Sequence, residues 1–488
     1  MKRTLLTIFL IIILAAGCTL PLAAPASIQP AASPTSLLLV TVPPNATPTL
    51  TPFQPVSEND TPTPLPPSGD AAPLPATPTL TPDPNIFLPA TPTPQAFYAP
   101  PYAPAPAAAL TDTQTVTFLL LGSDKRPGQT YFRTDTIVIA ALRPSSGQVT
   151  LISIPRDLYV YIPTVGMDRI NTPYEYGEMY HYPGGGKALL EDTILYNLGI
   201  RIDHLAIVDF DGFSRIVNTL GGLDVPVFCP YTDWHLIDPS YDPNNADNWS
   251  LYTVGPGVVH MDGDLALWYA RSRQKSSDFD RGRRSQEVLR ALYGRALQTG
   301  AISKIPELYK DFSSSVITDL GLDTLLQLAP LALHLNNADI RSYYIGRDEV
   351  TAWMTPGGAS VLLPNAPVIQ SMLQQALSAS PRLAAQSALT VEVRNGTANA
   401  AWDALAAERL NYAGYQARLA PADRQDYASS MLYDLGALPD PTRAGSLLAV
   451  LGLPTTAYIA APTQTELNYV LIVGADYQPC FNPTGLAP

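Results

Sequence analysis

The chain has 488 residues, 46% of them hydrophobic, and a formal net charge of −13 at pH 7. That length exceeds one ordinary domain, and the apolar share supports a sizeable core. The negative charge argues against non-specific binding to nucleic acid or to an anionic membrane surface, so any basic site must be local.

The N-terminal "MKRTLLTIFLIIILAAGC" has a positive start at Lys2 and Arg3, an apolar stretch from Leu5 to Ala16 and small residues before Cys18. Residues 1–18 therefore read as an export signal outside the fold. The "LAAGC" end resembles the lipobox of bacterial lipoproteins, with Ala15 where that motif prefers leucine, and on this reading Cys18 is the lipid anchor. The other reading is an uncleaved N-terminal transmembrane helix, against which Pro21 and the proline-rich sequence behind it count. Both readings put the rest of the chain on the extracytoplasmic face of the cell membrane. Residues 19–112 are rich in Pro, Thr and Ala, hold about half of the 50 prolines and contain no Lys or Arg. Such a composition cannot bury a core and predicts a disordered linker acting as a tether.

From Thr113 the pattern changes. "TVTFLLLGSD", "TDTIVIAAL" and "QVTLISIPRD" read as strands, "PGGGKALLEDTILYNLGI" as a helix, and "HLAIVDFDGF" as a strand running into a helix from Phe213 to Leu220. "RRSQEVLRALYGRALQ" is an amphipathic helix with Val288, Leu289, Leu292 and Ala296 on one face. Strands alternating with helices give an α/β layered domain; it is assigned residues 113–378. An Ala/Ser/Pro break follows. "LTVEVRNGTANAAWDALAAERLNYAGYQ" and "NYVLIVGAD" then predict a small C-terminal α/β domain over 388–478, separable from the first. Cys229 and Cys480 either pair as one disulfide or stay two unrelated thiols. No CxxC or HExxH spacing is present, and the five histidines are scattered.

Chemistry is suggested first where two apolar strands meet solvent. Asp124 and Asp135 at those strand ends suit a hard divalent cation, since Mg²⁺ takes one or two carboxylates together with water and phosphate oxygens. Arg133, two residues before Asp135, lies on the same side of an extended strand. The alternative is structural: Asp124 opens a turn, and Asp135 pairs with Arg133 or Arg126. The second constellation is "WYARSRQKSSDFDRGRRSQ", with Arg271, Arg273, Arg281, Arg283 and Arg284. In extended chain Arg271 and Arg273 point to one face, and Arg281 and Arg284 stand at a helix start that favours anions. Arginine's planar fork suits phosphate; the alternative is a solvated surface ion-paired through Asp278 and Asp280. "SIPRD" adds Arg156 and Asp157, and "MDRINTPYEYG" adds Arg169 and Asn171. In "VDFDGF", Asp211 reads as a helix N-cap. "YPGGGK" lacks the spacing of a phosphate loop and reads as a glycine turn before a helix.

Taken together, "LLLGSDKR", "RTDTIVIAAL", "VTLISIPRDLYVYIP", "DRINTPYEYG", "IDHLAIVDFDGFSRIVNTLGGLDV" and "MDGDLALWYARSRQKSSDFDRGRRSQEVLRAL" resemble, in order, the LytR-CpsA-Psr family of cell-wall glycopolymer ligases. The C-terminal "VEVRNGTANAAWDALAAERLNYAGY" is similar to the small LytR C-terminal domain. The resemblance implies a mixed central β-sheet flanked by helices, enclosing an apolar tunnel for a polyprenyl chain. It also implies Mg²⁺ (or Mn²⁺) held by Asp124 and Asp135, and a diphosphate gripped by Arg133, Arg156, Arg271 and Arg273, with Arg284 and Gln286 beside them. The resemblance also sets Arg169 at the diphosphate, where many members carry lysine, and Ser285 falls within a turn that members often write "RQQ". The implied activity is Mg²⁺-dependent transfer of a phosphoglycan from a polyprenyl diphosphate carrier to a peptidoglycan or other wall hydroxyl. Asp157 is the candidate proton acceptor from its place in "SIPRD", the alternative being a salt bridge to Arg156. Two alternatives share these residues: hydrolysis of the polyprenyl diphosphate, and non-catalytic binding of polyprenyl lipid or wall polymer. A nucleic-acid partner is not expected.

Overall fold

The computed structural model describes residues 103–110, 114–125, 129, 131–238, 240–312, 315–378, 386, 388–463 and 465–480. The export signal, Cys18, Arg126 and most of the linker lie outside the described residues. Among the described residues no helix is long and apolar enough to cross a membrane.

Two apolar runs form β1 (Val116–Ser123) and β2 (Thr134–Arg143), an antiparallel pair that sets Leu119 against Ile139. Strands that read as continuous hydrophobic runs are covered on both faces. Here Phe118, Val138 and Ala140 enter one core cluster, and Leu119, Ile137 and Ile139 enter another. In chain order follow β3 (Gln148–Ile154), the hairpin of β4 (Tyr159–Ile162) and β5 (Gly166–Arg169), α1 (Pro173–Met179), α2 (Gly185–Leu198), β6 (His204–Val208) and α3 (Phe210–Thr219). Next come β7 (Leu223–Val227), the hairpin of β8 (Tyr231–Leu236) and β9 (Trp249–Val254), β10 (Gly257–Met261), α4 (Gly263–Arg271) and α5 (Asp278–Gln298). The remaining elements are α6 (Ile305–Phe312), β11 (Val316–Thr318), α7 (Leu322–His334), β12 (Ile340–Tyr344), the hairpin of β13 (Val350–Met354) and β14 (Ser360–Pro364), and α8 (Ala366–Leu377).

Six of these strands make one sheet in the order β11-β6-β1-β2-β3-β12. β1 runs parallel to β6 and antiparallel to β2, and β3 runs parallel to β12. The sheet is therefore mixed, as expected. Helices α1, α2 and α8 cover one face through Tyr174, Leu189 and Leu373. Helices α3 to α7 cover the other through Ile216, Tyr269, Leu292, Leu308 and Leu325.

The end of the proline-rich stretch lies along α2. The Ala107 N–H donates to the Tyr196 carbonyl and the Leu110 N–H to the Gly199 carbonyl, each at 2.8 Å. Helix α3 begins earlier than its sequence pattern implies, at Phe210, and this corrects the capping residue. Asp209, extended at φ −84° and ψ 173°, accepts the Gly212 N–H at 2.7 Å, while Asp211 sits inside the first turn.

The C-terminal part holds β15 (Thr390–Asn395), α9 (Trp402–Tyr412), β16 (Gln416–Ala420), β17 (Met431–Asp434), α10 (Pro441–Leu451), β18 (Tyr458–Ala460) and β19 (Tyr469–Val473). Its sheet order is β16-β15-β19-β17-β18, and Leu405, Leu410, Leu447 and Leu471 fill a core of its own. The two folded parts are nevertheless not independent bodies. Cys229 and Cys480 are bonded, with their Cα atoms 4.4 Å apart. Phe228 meets Tyr412 edge-on at 5.8 Å and lies 4.7 Å below the Arg409 guanidinium.

Candidate active site

An irregularity in the β1–β2 pairing builds the first half of the site. Gly122 pairs with Thr136 and Ser123 with Thr134, so Asp135 is the extra residue of a β-bulge. Bulges re-aim a side chain and end pairing at functional edges, and Asp135 turns onto the rim of a cavity. Gly122 lines the same cavity, and a Cβ there would come within 3.1 Å of the Thr136 Cβ. Just past β1, an Asp124 carboxylate oxygen accepts the Arg133 N–H at 2.9 Å, and the Asp124 N–H donates to the Arg133 carbonyl at 3.2 Å. The Arg133 side chain is half exposed and pairs with Glu175 at 3.1 Å.

Behind Asp135 lies an ion network. Arg156 pairs with Asp135 at 2.8 Å and reaches Asp157 at 3.7 Å and Asp278 at 4.0 Å. Burial opposes the Arg156 charge, but these three carboxylates outweigh it and hold the group above its ordinary range. Asn171 donates to Asp135 at 3.5 Å. Arg169 pairs with Asp157 at 3.2 Å and donates to the Ser360 carbonyl at 2.8 Å. Burial and a hydrogen bond with Asp278 push the Asp157 carboxyl up, against the pull of Arg156 and Arg169. Burial acts the same way on Asp278 but is outweighed by Arg281, by the hydrogen bond from Asp157, and by Arg273 and Arg156, so Asp278 is held down. Of the two carboxyls, Asp157 is therefore the one with the higher proton affinity.

Helices α4 and α5 supply the other half. Their caps are conventional, with Asp262 accepting the Leu265 N–H at 2.9 Å and Ser277 the Asp280 N–H at 3.2 Å. Arg271 closes α4 rather than lying in extended chain, and its guanidinium stacks 4.1 Å from the Phe210 ring at the cavity. Arg273, in the following loop, reaches Asp278 at 3.3 Å. Arg281 is the cation set deepest at the rim: its side chain is 8% exposed, and it meets Asp278 at 3.5 Å and the Asp135 carbonyl at 3.4 Å. Burial pulls its pKa down more than Asp278 and Asp135 raise it, and Arg156 and Arg273 repel it. A desolvated guanidinium with long, partial contacts is a place for an anion.

Arg284 and Gln286 are placed elsewhere. Arg284 is fully buried, 4.0 Å from the Tyr231 ring, and donates to the Tyr269 carbonyl, to the Ser272 carbonyl at 2.5 Å and to Ser276 Oγ at 3.0 Å. Its work is to hold the 272–276 loop that carries Arg273. Gln286 donates to Ser153 Oγ at 2.9 Å and to the Tyr343 carbonyl at 3.0 Å, tying α5 to β3 and β12. Both were expected beside the diphosphate; both face inward from the rim.

Asp135, Arg271, Arg281, Asp209 and Ser285 ring the mouth of a cavity with about 1000 Å³ of empty space, its open mouth included. Its walls are apolar: Leu120, Val138 and Ala206 from the sheet, Phe213 and Leu267 from α3 and α4, and Val288, Leu289 and Leu292 from α5. Charge at the mouth and hydrocarbon within suit an amphiphile with an anionic head. Among the described residues no group of three or more His, Cys, Asp and Glu side chains is arranged to hold a metal ion.

The structure thus brings Asp135, Arg156, Asp157, Arg169 and Arg273 into one network through Asp278, sets Arg271 and Arg281 at the cavity mouth beside Asp135, and leaves Asp124 and Arg133 at the strand ends next to it. Sequence reasoning put Arg281 in an anion-favouring cluster but not among the diphosphate contacts that the resemblance implies, and saw Asp278 only as a surface partner. The available signal was Arg281's place in the first turn of α5, four residues before Ser285 on the same face. Nothing local marked Tyr231 or Asp233, yet the Asp233 carboxylate accepts from both the Tyr231 hydroxyl at 2.8 Å and the Gln274 N–H at 3.0 Å.

The chain is similar to several known proteins. The 31% identical transferase named polyisoprenyl-teichoic acid–peptidoglycan teichoic acid transferase TagU, from Oceanobacillus iheyensis, aligns over 221 residues, 44% of this chain and 62% of its own. A Corynebacterium glutamicum protein named probable cell wall biosynthesis protein LcpB is 33% identical over 213 residues, 40% of this chain and 46% of its own. The chain therefore spans less than two thirds of the length of either relative. The crystal structure of Bacillus subtilis TagV is 26% identical, covers 56% of this chain and all of its own, and has a TM-score of 0.43. Residues 388–477 match the model described as LytR cell envelope-related transcriptional attenuator. Residues 100–377, more than half of the 488, match the family model itself, and this chain belongs to the LytR-CpsA-Psr family.

Proposed function

We propose that this protein transfers a phosphoglycan from a polyprenyl diphosphate carrier to a hydroxyl of peptidoglycan or another wall polymer, on the outer side of the cytoplasmic membrane. The observation that carries the reading is the apolar cavity whose mouth is ringed by Asp135, Arg271 and Arg281. The names of the relatives, which are transferases acting between polyisoprenyl-linked polymer and peptidoglycan, support it.

In this reading the prenyl tail enters between the sheet and α5, and the diphosphate sits at the mouth. Arg271 and Arg281 meet its charge there, with Arg273 and Arg133 reaching in from more exposed positions. Arg156 and Arg169 hold Asp157, and Arg156 also holds Asp135. The acceptor oxygen forms a bond to the glycan-bearing phosphorus, and the bond from that phosphorus to the bridging oxygen breaks. The hydroxyl proton passes to Asp157, and polyprenyl phosphate leaves. Catalysis of this kind is mostly positioning and electrostatic stabilisation. Asp124 and Asp135 are the two carboxylates that would hold Mg²⁺ or Mn²⁺, hard cations that take carboxylate oxygens together with water and phosphate oxygens. When bound, the cation would neutralise charge developing on the diphosphate.

The test is to incubate the full chain with a polyprenyl diphosphate-linked glycan, with and without wall acceptor. The reading expects polyprenyl phosphate release together with glycan phosphate on the wall. Glycan phosphate set free in solution at the same rate, whatever the acceptor, would make the protein a hydrolase.

A further inference from the structure

The C-terminal module touches α5, which carries Arg281, and the Phe228–Cys229 segment, which leads to Tyr231 beside the loop that carries Arg273. Arg290, about two and a half turns beyond Arg281 on α5, is almost completely buried. It donates to the Asn337 carbonyl at 3.0 Å and to Ser342 Oγ at 3.1 Å, and its guanidinium stacks 4.2 Å from the ring of Tyr412 on α9. One turn back on α9, Glu408 accepts from Asn337 Nδ2 at 3.3 Å. Between Arg281 and Arg290 on α5 lie Val288 and Leu289, which wall the cavity.

The second contact runs through the disulfide. Cys229 is bonded to Cys480, and the preceding Phe228 packs against Tyr412 and Arg409. Two residues further on, Tyr231 accepts the stack of Arg284 and hydrogen-bonds to the Ser272 carbonyl at 3.0 Å. That loop carries Arg273.

We infer that the C-terminal module is an intramolecular brace, locked by Cys229–Cys480, that fixes α5 and the 272–276 loop and so positions Arg281 and Arg273 for the diphosphate. Tyr412 is a positioning residue. It touches neither the cavity nor the rim and acts through Arg290 and Phe228. A buried cation stacked on an aromatic ring across an interface is costly to leave half-covered, so losing the ring should let the α5 segment shift. The inference rests on the diphosphate reading above.

The experiment measures affinity of the full-length chain for geranylgeranyl diphosphate by calorimetry, alongside the thermal midpoint. The variants are Tyr412→Ala, Tyr412→Phe and the double replacement Cys229→Ser with Cys480→Ser. Tyr412→Ala and the double replacement are expected to bind at least about fivefold more weakly, the lower end of coupling between distinct sites. Tyr412→Phe, which keeps the stacking ring, should bind like the unaltered chain. If Tyr412→Ala fails to melt cooperatively, the cysteine replacement decides alone. Unchanged affinity in the folded variants overturns the brace while leaving the diphosphate reading intact. Absence of binding to the unaltered chain overturns both.

Discussion

Arg281 and Arg284, one helical turn apart on α5, send their guanidinium groups to different places. Arg281 reaches the cavity rim, 3.5 Å from Asp278, and Arg284 enters the interior, 4.0 Å from the Tyr231 ring. Replacing them should have opposite signatures. Arg281→Met should cut turnover on the order of a hundredfold or more and change stability by less than about 1 kcal/mol, since burying that cation is itself costly. Arg284→Met removes the side-chain donor to the Tyr269 carbonyl and one of two donors to the Ser272 carbonyl, and should cost at least about 2 kcal/mol of stability. Urea unfolding and turnover on both variants check the contrast.

Asp135 joins the bulge, the ion network and the cavity mouth. Asp135→Ala should abolish Mg²⁺-dependent turnover while circular dichroism and the melting profile stay those of the parent. Turnover that persists with the same metal dependence would remove Asp135 from the metal site.

Asp157 is assigned as proton acceptor. Burial and the hydrogen bond with Asp278 raise its pKa above the usual 3.8, so the acid limb of the pH–rate profile should lie above that value. A base works when deprotonated, so rate falls as pH drops through the raised pKa. Asp157→Asn should lower kcat by about 10²-fold and flatten that limb. A profile keeping the limb at full height would reassign the base.

How much of this was legible in the sequence follows from the range of the interactions. The strands β1, β2, β3 and β6 and the helices α2 and α5 announce themselves in local hydrophobic pattern, because each buries a face that its own spacing defines. The arginines also stood out against an acidic chain. Which arginine faces the substrate did not, because that depends on where Tyr231, Asp233 and Phe228 come to rest, far away in sequence. Reading Arg271 and Arg273 as one extended face failed for a related reason: α4 runs through Arg271, and its end is set by packing on α3. Asp209 took the cap from Asp211 because α3 starts as soon as β6 leaves the sheet.

Away from the site, Asp319 pins α2 to β6. It pairs with Lys187 at 2.8 Å and accepts the Leu205 N–H at 2.9 Å. Burial opposes its charge, but His204, Lys187 and that N–H outweigh burial and hold its pKa at about 2 rather than 3.8. A depressed carboxylate pKa gives stability that is present above the unfolded value and lost as pH falls through the folded one. Asp319→Asn should therefore cost about 2 kcal/mol at pH 7, a difference that shrinks from about pH 4 and closes near pH 2. Denaturant midpoints across that range test it.

The central claim is that the cavity behind the rim arginines takes the hydrocarbon tail of a diphosphate. It is tested most directly by measuring Kd for inorganic diphosphate and for prenyl diphosphates of increasing length. Each added isoprene unit should tighten binding until the cavity is full, by at least about tenfold over the series, and Leu289→Trp should cap the gain early. Equal affinity for bare diphosphate and for the longest prenyl diphosphate, unaffected by Leu289→Trp, would contradict the account.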